Sequence, residues 1–238
     1  HAARKVSVPL IVIRTADPAA TIDNLKAAAV VENQPAPLLK WDIAQGVKPL
    51  NEEGKDAIAK MVGEGEIDDL QDPSVVLKAA LRMPPQSVLF FLNVQRFVTS
   101  EPSGAVVAQA IWNLRDQLKG SRRTWVGLCP DIQLPPELQQ DVLVLDEPLP
   151  SPDQLREIIE AQYKAAGLPS PNGEVMPKAV DAVAGLGAFP AEQASAMCLT
   201  KNGLDVESLW DRKRQMIEEA KGLSVWRGGE RFKDIGGL

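Results

Sequence analysis

The chain has 238 residues and a formal net charge of −6, with 45% apolar and 24% charged residues. That balance fits folded domains and argues against a nucleic-acid-binding face, which needs clustered Lys and Arg to neutralise phosphates. No stretch approaches about 18 uninterrupted apolar residues, so no helical membrane span is expected. Cys129 and Cys198 are the only cysteines and His1 the only histidine, which excludes a structural zinc site of Cys and His and leaves no material for a Ser-His-Asp or Cys-His catalytic set. Two free thiols, and a start at His1-Ala2-Ala3-Arg4-Lys5 without the apolar core of a signal peptide, make the cytoplasm the expected compartment.

In chain order, Leu10-Ile11-Val12-Ile13 is a short β-branched apolar run, the pattern of a strand buried on both faces. Thr15 and Asp17 follow as N-cap candidates with Pro18 at a first helical position, and the spacing of Ile22, Leu25 and Ala29 predicts a helix. Pro35 and Pro37 punctuate, and Leu38-Leu39-Lys40-Trp41-Asp42 predicts a second strand. Residues 51–81 show helical patches broken by Gly63, Gly65 and Pro73. Val88-Leu89-Phe90-Phe91-Leu92 predicts a third strand, and residues 105–119 a helix through Val107, Ile111, Leu114 and Leu118. The basic run at 119–123 reads as that helix's C-terminus, where cations complement the dipole, followed by a turn at Gly120-Ser121. Residues 124–129 and 142–145 predict strands four and five. The alternation implies an α/β fold with a five-stranded, mostly parallel sheet and helices on both faces.

After Pro148-Leu149-Pro150-Ser151-Pro152 the pattern changes. Residues 153–166, 177–186, 190–199 and 206–221 predict four helices with no strand signal among them, the first stopped by Gly167 and the last by Gly222. The expected division is an α/β domain over 1–150 and a small all-helical domain over 151–228.

Several strings resemble one family. Phe232-Lys233-Asp234-Ile235-Gly236-Gly237-Leu238 is similar to the lead-in of an AAA-type ATPase module, so 229–238 reads as the start of a linker toward a second module beyond this chain. Leu39-Lys40-Trp41-Asp42-Ile43-Ala44-Gln45-Gly46, Leu128-Cys129-Pro130-Asp131-Ile132-Gln133-Leu134-Pro135-Pro136-Glu137-Leu138, Leu145-Asp146-Glu147-Pro148-Leu149-Pro150, and Gly185-Leu186 followed by Ala191-Glu192-Gln193-Ala194 resemble, in order and spacing, the N-terminal region of the Ycf-type AAA proteins of cyanobacteria and chloroplasts. The resemblance implies a degenerate AAA-like half with a P-loop-type sheet and a helical lid. It also implies a complete ATPase module after it, with ATP and Mg²⁺ expected only there. This chain alone is then expected to be no enzyme and to hold no cofactor or metal, although its parent would be an ATPase. The intact protein would self-associate in a ring, with a protein substrate or adaptor as partner, whereas this fragment is expected to be a monomer or weak oligomer.

The catalytic positions bear on that expectation. A phosphate loop needs glycines, so that backbone N–H groups can wrap the phosphates, and a lysine to reach them. After the first strand the chain offers Thr15-Ala16-Asp17-Pro18-Ala19-Ala20-Thr21-Ile22, with neither. Magnesium-organising acids belong after the third strand, where Asn93-Val94-Gln95 stands. Val142-Leu143-Val144-Leu145-Asp146-Glu147 has the apolar-run-plus-acids form, but it lacks an upstream phosphate loop and reads as a solvated strand end. The place of a trans-acting arginine holds Gln139, Gln140 and Asp141, and nearby Arg115, Arg122 and Arg123 read as solvated or capping. Cys129, at a strand end, reads as a buried small hydrophobe. The catalytic, cofactor and metal residue sets are therefore expected to be empty. Two alternatives stay open: an ATP-binding domain with a non-standard site, and a nucleic-acid adaptor for a downstream motor.

Overall fold

The structure is a computed structural model that describes residues 8–31, 34–63, 70–99, 101–171 and 173–218. The string at 232–238 and the helix stop at Gly222 lie outside the described residues. The chain divides into two compact units, His1–Pro148 and Leu149–Leu238.

The first unit runs β1 (Leu10–Arg14), α1 (Pro18–Ala28), a two-residue pair β2 (Val30–Val31) and β3 (Gln34–Pro35), β4 (Leu38–Asp42), β5 (Gly46–Pro49), α2 (Glu52–Val62), α3 (Pro73–Ala79), β6 (Val88–Leu92), α4 (Pro102–Gly120), β7 (Thr124–Cys129) and β8 (Leu143–Asp146). The main sheet has the order β5-β4-β6-β7-β1-β8. Five of its strands are mutually parallel. The expected count of five becomes six, because β5 folds back antiparallel on β4. Asp42 closes that turn by accepting the N–H groups of Ala44 and Gln45 at 3.0 and 2.8 Å, and Gly46 supplies φ +67°. Within β5 Val47 is the one large apolar side chain turned inward, too little for a period-two signal.

Alternation along the strands sorts the side chains into two layers. Leu10 and Val12 join Met61 of α2, Leu77 of α3 and Ile111 of α4 on one face, while Ile11 and Ile13 join Ile22 of α1 on the other. Helices therefore cover both faces, as the unbroken apolar strands require. Within the mixed stretch 51–81 the described residues form α2, capped by Asn51, and α3, capped by Asp72, with Gly63 at φ +71° ending α2; Gly65 lies outside the described residues.

An aromatic row crosses the three-helix face. Trp41 of β4 and Phe91 of β6 are register partners with ring centroids 4.0 Å apart at 23°. Phe97 meets both edge-on, and Trp125 of β7 lies 5.8 Å from Phe91. Gly127 sits between Phe91 and Val12 in register. A Cβ there would lie 2.9 Å from Trp125 Cη2, 3.0 Å from Val94 Cγ1 and 3.1 Å from Val12 Cγ2. The missing side chain is the space the Trp125 ring fills.

The second unit packs α5 (Pro152–Ala165), α6 (Val175–Val183), α7 (Ala188–Cys198) and α8 (Val206–Glu218) around Leu155, Ile159, Tyr163, Val183, Ala194 and Leu209. A capping box of Ser151 and Gln154 starts α5. The all-helical expectation needs one correction, a short hairpin of β9 (Leu199–Thr200) and β10 (Gly203–Leu204). Two-residue strands carry no periodicity. Lys201 and Asn202 make the turn, Gly203 leaves it at φ +107°, and Tyr163 Oη accepts the Leu204 N–H at 2.8 Å.

Gly127→Ala should lower the unfolding free energy by about 1–3 kcal/mol through overpacking. Urea titration checks this, and an unchanged midpoint would show that the Trp125 ring yields without cost.

Candidate functional site

Topology singles out one place on the sheet. From β1 the chain crosses to β4, beyond β7 and β6; from β7 it crosses to β8, on the far side of β1. The connections leaving neighbours β1 and β7 therefore run in opposite directions, and open α/β sheets bind ligands at the carboxyl ends of such strands. Those ends are Arg14 and Cys129, with Asp146 of β8 alongside Arg14. Thr15 N–H donates to the Cys129 carbonyl at 2.8 Å and Glu147 N–H to the Arg14 carbonyl at 3.0 Å, which ties the three strand ends together.

Helix α1 starts here, and its amino end is met by the chain itself. Asp17 is the N-cap, with Oδ1 accepting Ala20 N–H at 3.0 Å, and Pro18 contributes no N–H. Of the two cap candidates, Thr15 takes a different role: its hydroxyl accepts the Asp17 N–H at 2.9 Å. Thr21, one turn in, places its hydroxyl 2.8 Å from Thr15 Oγ1 and 2.7 Å from Glu147 Oε2. Both threonines are buried. Setting Thr15 to Ile22 against G-x-x-x-x-G-K-[ST] puts Thr21 where the lysine would stand. In place of an ammonium reaching for phosphate, the chain has a hydroxyl held on its own carboxylate.

The surrounding charge is negative. Segments 14–17, 129–131 and 146–147 carry Asp17, Asp131, Asp146 and Glu147 against the single cation Arg14. Arg14 lies between two of them, Nη1 3.1 Å from Asp146 and Nε 3.5 Å from Asp131. Both carboxylates are largely exposed, so each pair contributes little to stability.

The other sequence-singled positions fall as follows. Asn93 follows β6 in a left-handed conformation (φ 56°, ψ 38°), donating its N–H to the Leu128 carbonyl at 2.8 Å, and residues 93–96 hold no carboxylate. Asp146 is the solvated strand end the sequence suggests, largely exposed and paired with Arg14, whereas Glu147 accepts the Thr21 hydroxyl. Asp141 accepts Arg115 Nη1 and Trp112 Nε1, each at 2.9 Å, while the Arg115 guanidinium lies 4.9 Å from the centre of the Trp112 ring. Arg115 is thus a clip between α4 and the approach to β8, not a solvated cation. Arg123 donates to the carbonyls of Ala80 and Leu81. The Glu147–Thr21 pair spans 126 residues, and the one local hint of it was a threonine at a lysine's place.

Cys129 is fully buried and unpaired in any disulfide. Burial, and then the negative charge of Asp131, pushes its thiol up to about 11, with Arg14 acting the other way. At neutral pH it is a protonated thiol and a poor nucleophile. Among the described residues no cluster of three or more His, Cys, Asp or Glu could hold a metal ion. A cavity of about 300 Å³ in the first unit is lined by Asp72, Ser74, Arg96, Phe97, Ser103 and Val106, none of them from these strand ends.

Residues 4–147 match the family described as SpoVK-like AAA ATPase, N-terminal domain. Among solved structures, the FIGL-1 AAA domain in complex with ADP is similar with a TM-score of 0.53 at 14% identity, over 88% of this chain and 72% of that one. A second structure of the FIGL-1 AAA domain gives 0.50 at 15%, over 87% and 70%. A chain of the E. coli MS115-1 HORMA:CdnC:Trip13 complex gives 0.50 at 12%, over 89% and 75%. At these identities the likeness is one of fold. No curated protein matches the sequence.

The raised Cys129 thiol has a pH consequence. Its contribution to stability is complete below the ordinary value of 9.0 and is lost as pH rises through about 11. Between those values the denaturation midpoint of the native chain should fall more steeply than that of Cys129→Ala; parallel profiles would show that the thiol does not carry the loss.

Proposed function

This chain belongs to the family of SpoVK-like AAA ATPase N-terminal domains, and from that premise we propose that it is a non-catalytic AAA-like unit serving assembly, regulation or partner recognition. ATP hydrolysis, with its ATP and Mg²⁺, is assigned to a following module of a longer protein, in keeping with the family's description as an N-terminal domain. The finer affiliation we favour is the Ycf-type branch, on the strings quoted above.

The observation that carries this reading is the amino end of α1. A phosphate held at a helix start needs free N–H groups and a nearby cation. Here Pro18 removes one N–H, Asp17 takes another, Thr21 stands at the lysine's place, and four carboxylates flank the strand ends. A hydrogen bond to a charged group is worth about 1.5–3 kcal/mol. Losing the lysine and two or three cradle N–H groups therefore removes an amount comparable to the whole of a micromolar affinity, about 8 kcal/mol. The scaffold persists without the groups that handle nucleotide, which fits use of its surfaces rather than chemistry. Among the described residues no helix is long and apolar enough to cross a membrane, and we place the protein in the cytoplasm with protein rather than nucleic acid as partner.

Titration of the chain with labelled ATP and Mg²⁺ should give no saturable binding tighter than about 100 μM, or roughly −5.5 kcal/mol. Tighter binding would replace this reading with a non-standard nucleotide site. Light scattering at two concentrations should show a monomer or weak oligomer, with or without ATP. A stable hexamer of this chain alone would place the ring-forming contacts here instead of in the following module.

A further inference from the structure

Donor and acceptor capacity fixes the order of protons at the head of α1. Thr21 Oγ1 has three oxygens within 2.9 Å, on Thr15, Asp17 and Glu147, but only one proton to give. The Asp17 carbonyl already accepts the Thr21 backbone N–H at 3.1 Å. Thr15 Oγ1 accepts the Asp17 N–H, which leaves its own proton to donate. A carboxylate oxygen can only accept. The arrangement that satisfies every group runs one way: Asp17 N–H to Thr15, Thr15 O–H to Thr21, Thr21 O–H to Glu147 Oε2. Each bond polarises the next, so the donor end of the relay is concentrated on the Glu147 carboxylate. The Glu147 backbone is fixed at the same place by its N–H on the Arg14 carbonyl.

We propose that Glu147 is an intramolecular anion in the role of a bound phosphate, a latch that joins the head of α1 to the end of β8 and closes the switch point to outside anions. The inference rests on the functional reading above, that no nucleotide occupies this place. Three features support it: the anion directly follows the strand beside β1, it is received by the residue at the lysine's place, and that residue, Thr21, is buried at 3% exposure. The chain thereby fixes by covalent connection what a ligand would otherwise fix by binding. Removing the carboxylate leaves the Thr21 hydroxyl, itself hydrogen-bonded to Thr15, aimed at an open anion position, which a small carboxylate refills.

Amide hydrogen exchange across residues 17–25 of the whole chain tests the latch, comparing the native sequence with Glu147→Gln and Glu147→Ala in sodium chloride and in sodium formate of equal ionic strength. Glu147→Ala should accelerate exchange about tenfold, the effect of losing one charge-assisted hydrogen bond, and formate should return it toward the native rate without altering the native chain. Glu147→Gln keeps the shape and a neutral acceptor, and should fall between the two. Unchanged exchange in both variants, or an acceleration that formate leaves in place, would overturn the proposal. Saturable ATP binding by the native chain with exchange at 17–25 unaltered would count against the functional reading alone.

Discussion

A helix that begins at the switch point of a parallel sheet points uncompensated N–H groups and the positive end of its dipole at the strand ends. Something has to meet it, and in this chain the partner is internal. Asp17 caps the first turn, Thr15 holds the cap residue's own N–H, and Thr21 carries the connection to Glu147 beyond β8. The same contacts gather the ends of β1, β7 and β8. A ligand's place in the fold and a structural joint of the fold are here the same group of atoms.

The scaffold that presents this joint is held together elsewhere. The row Trp41, Phe91 and Trp125 spans β4, β6 and β7 on the three-helix face, with Gly127 shaped to admit it, and Trp41 Nε1 donates to the Leu70 carbonyl at 2.6 Å. Burial of such large rings contributes far more than the exposed ion pairs of Arg14. The aromatic row thus holds the sheet on the three-helix face, while the hydrogen bonds of Thr15, Thr21 and Glu147 hold the strand ends.

The sequence disclosed what depends on local chemistry. Apolar runs located β1, β6 and β7, because strands covered on both faces need apolar side chains at successive positions. Asp17 and Pro18 located the start of α1, because cap chemistry lies within three residues. Strand β5 stayed hidden because a four-residue edge strand with one large inward side chain has no period to detect, and the β9–β10 hairpin is shorter still. The acids Asp146 and Glu147 were visible, but their meaning was not. Nothing local says that β8 lies beside β1 or that Thr21 faces it, and the pairing of Arg115 with Asp141 is similarly a product of folding.

The most direct test of the account is amide chemical-shift mapping of the chain during titration with ATP and Mg²⁺. If the switch point is filled by Asp17, Thr15, Thr21 and Glu147, the signals of residues 15–22 and of Glu147 stay in place throughout the titration. Saturable shifts confined to Asp17, Ala20, Thr21 and Glu147 would mean that the latch opens for a phosphate, and would contradict the account.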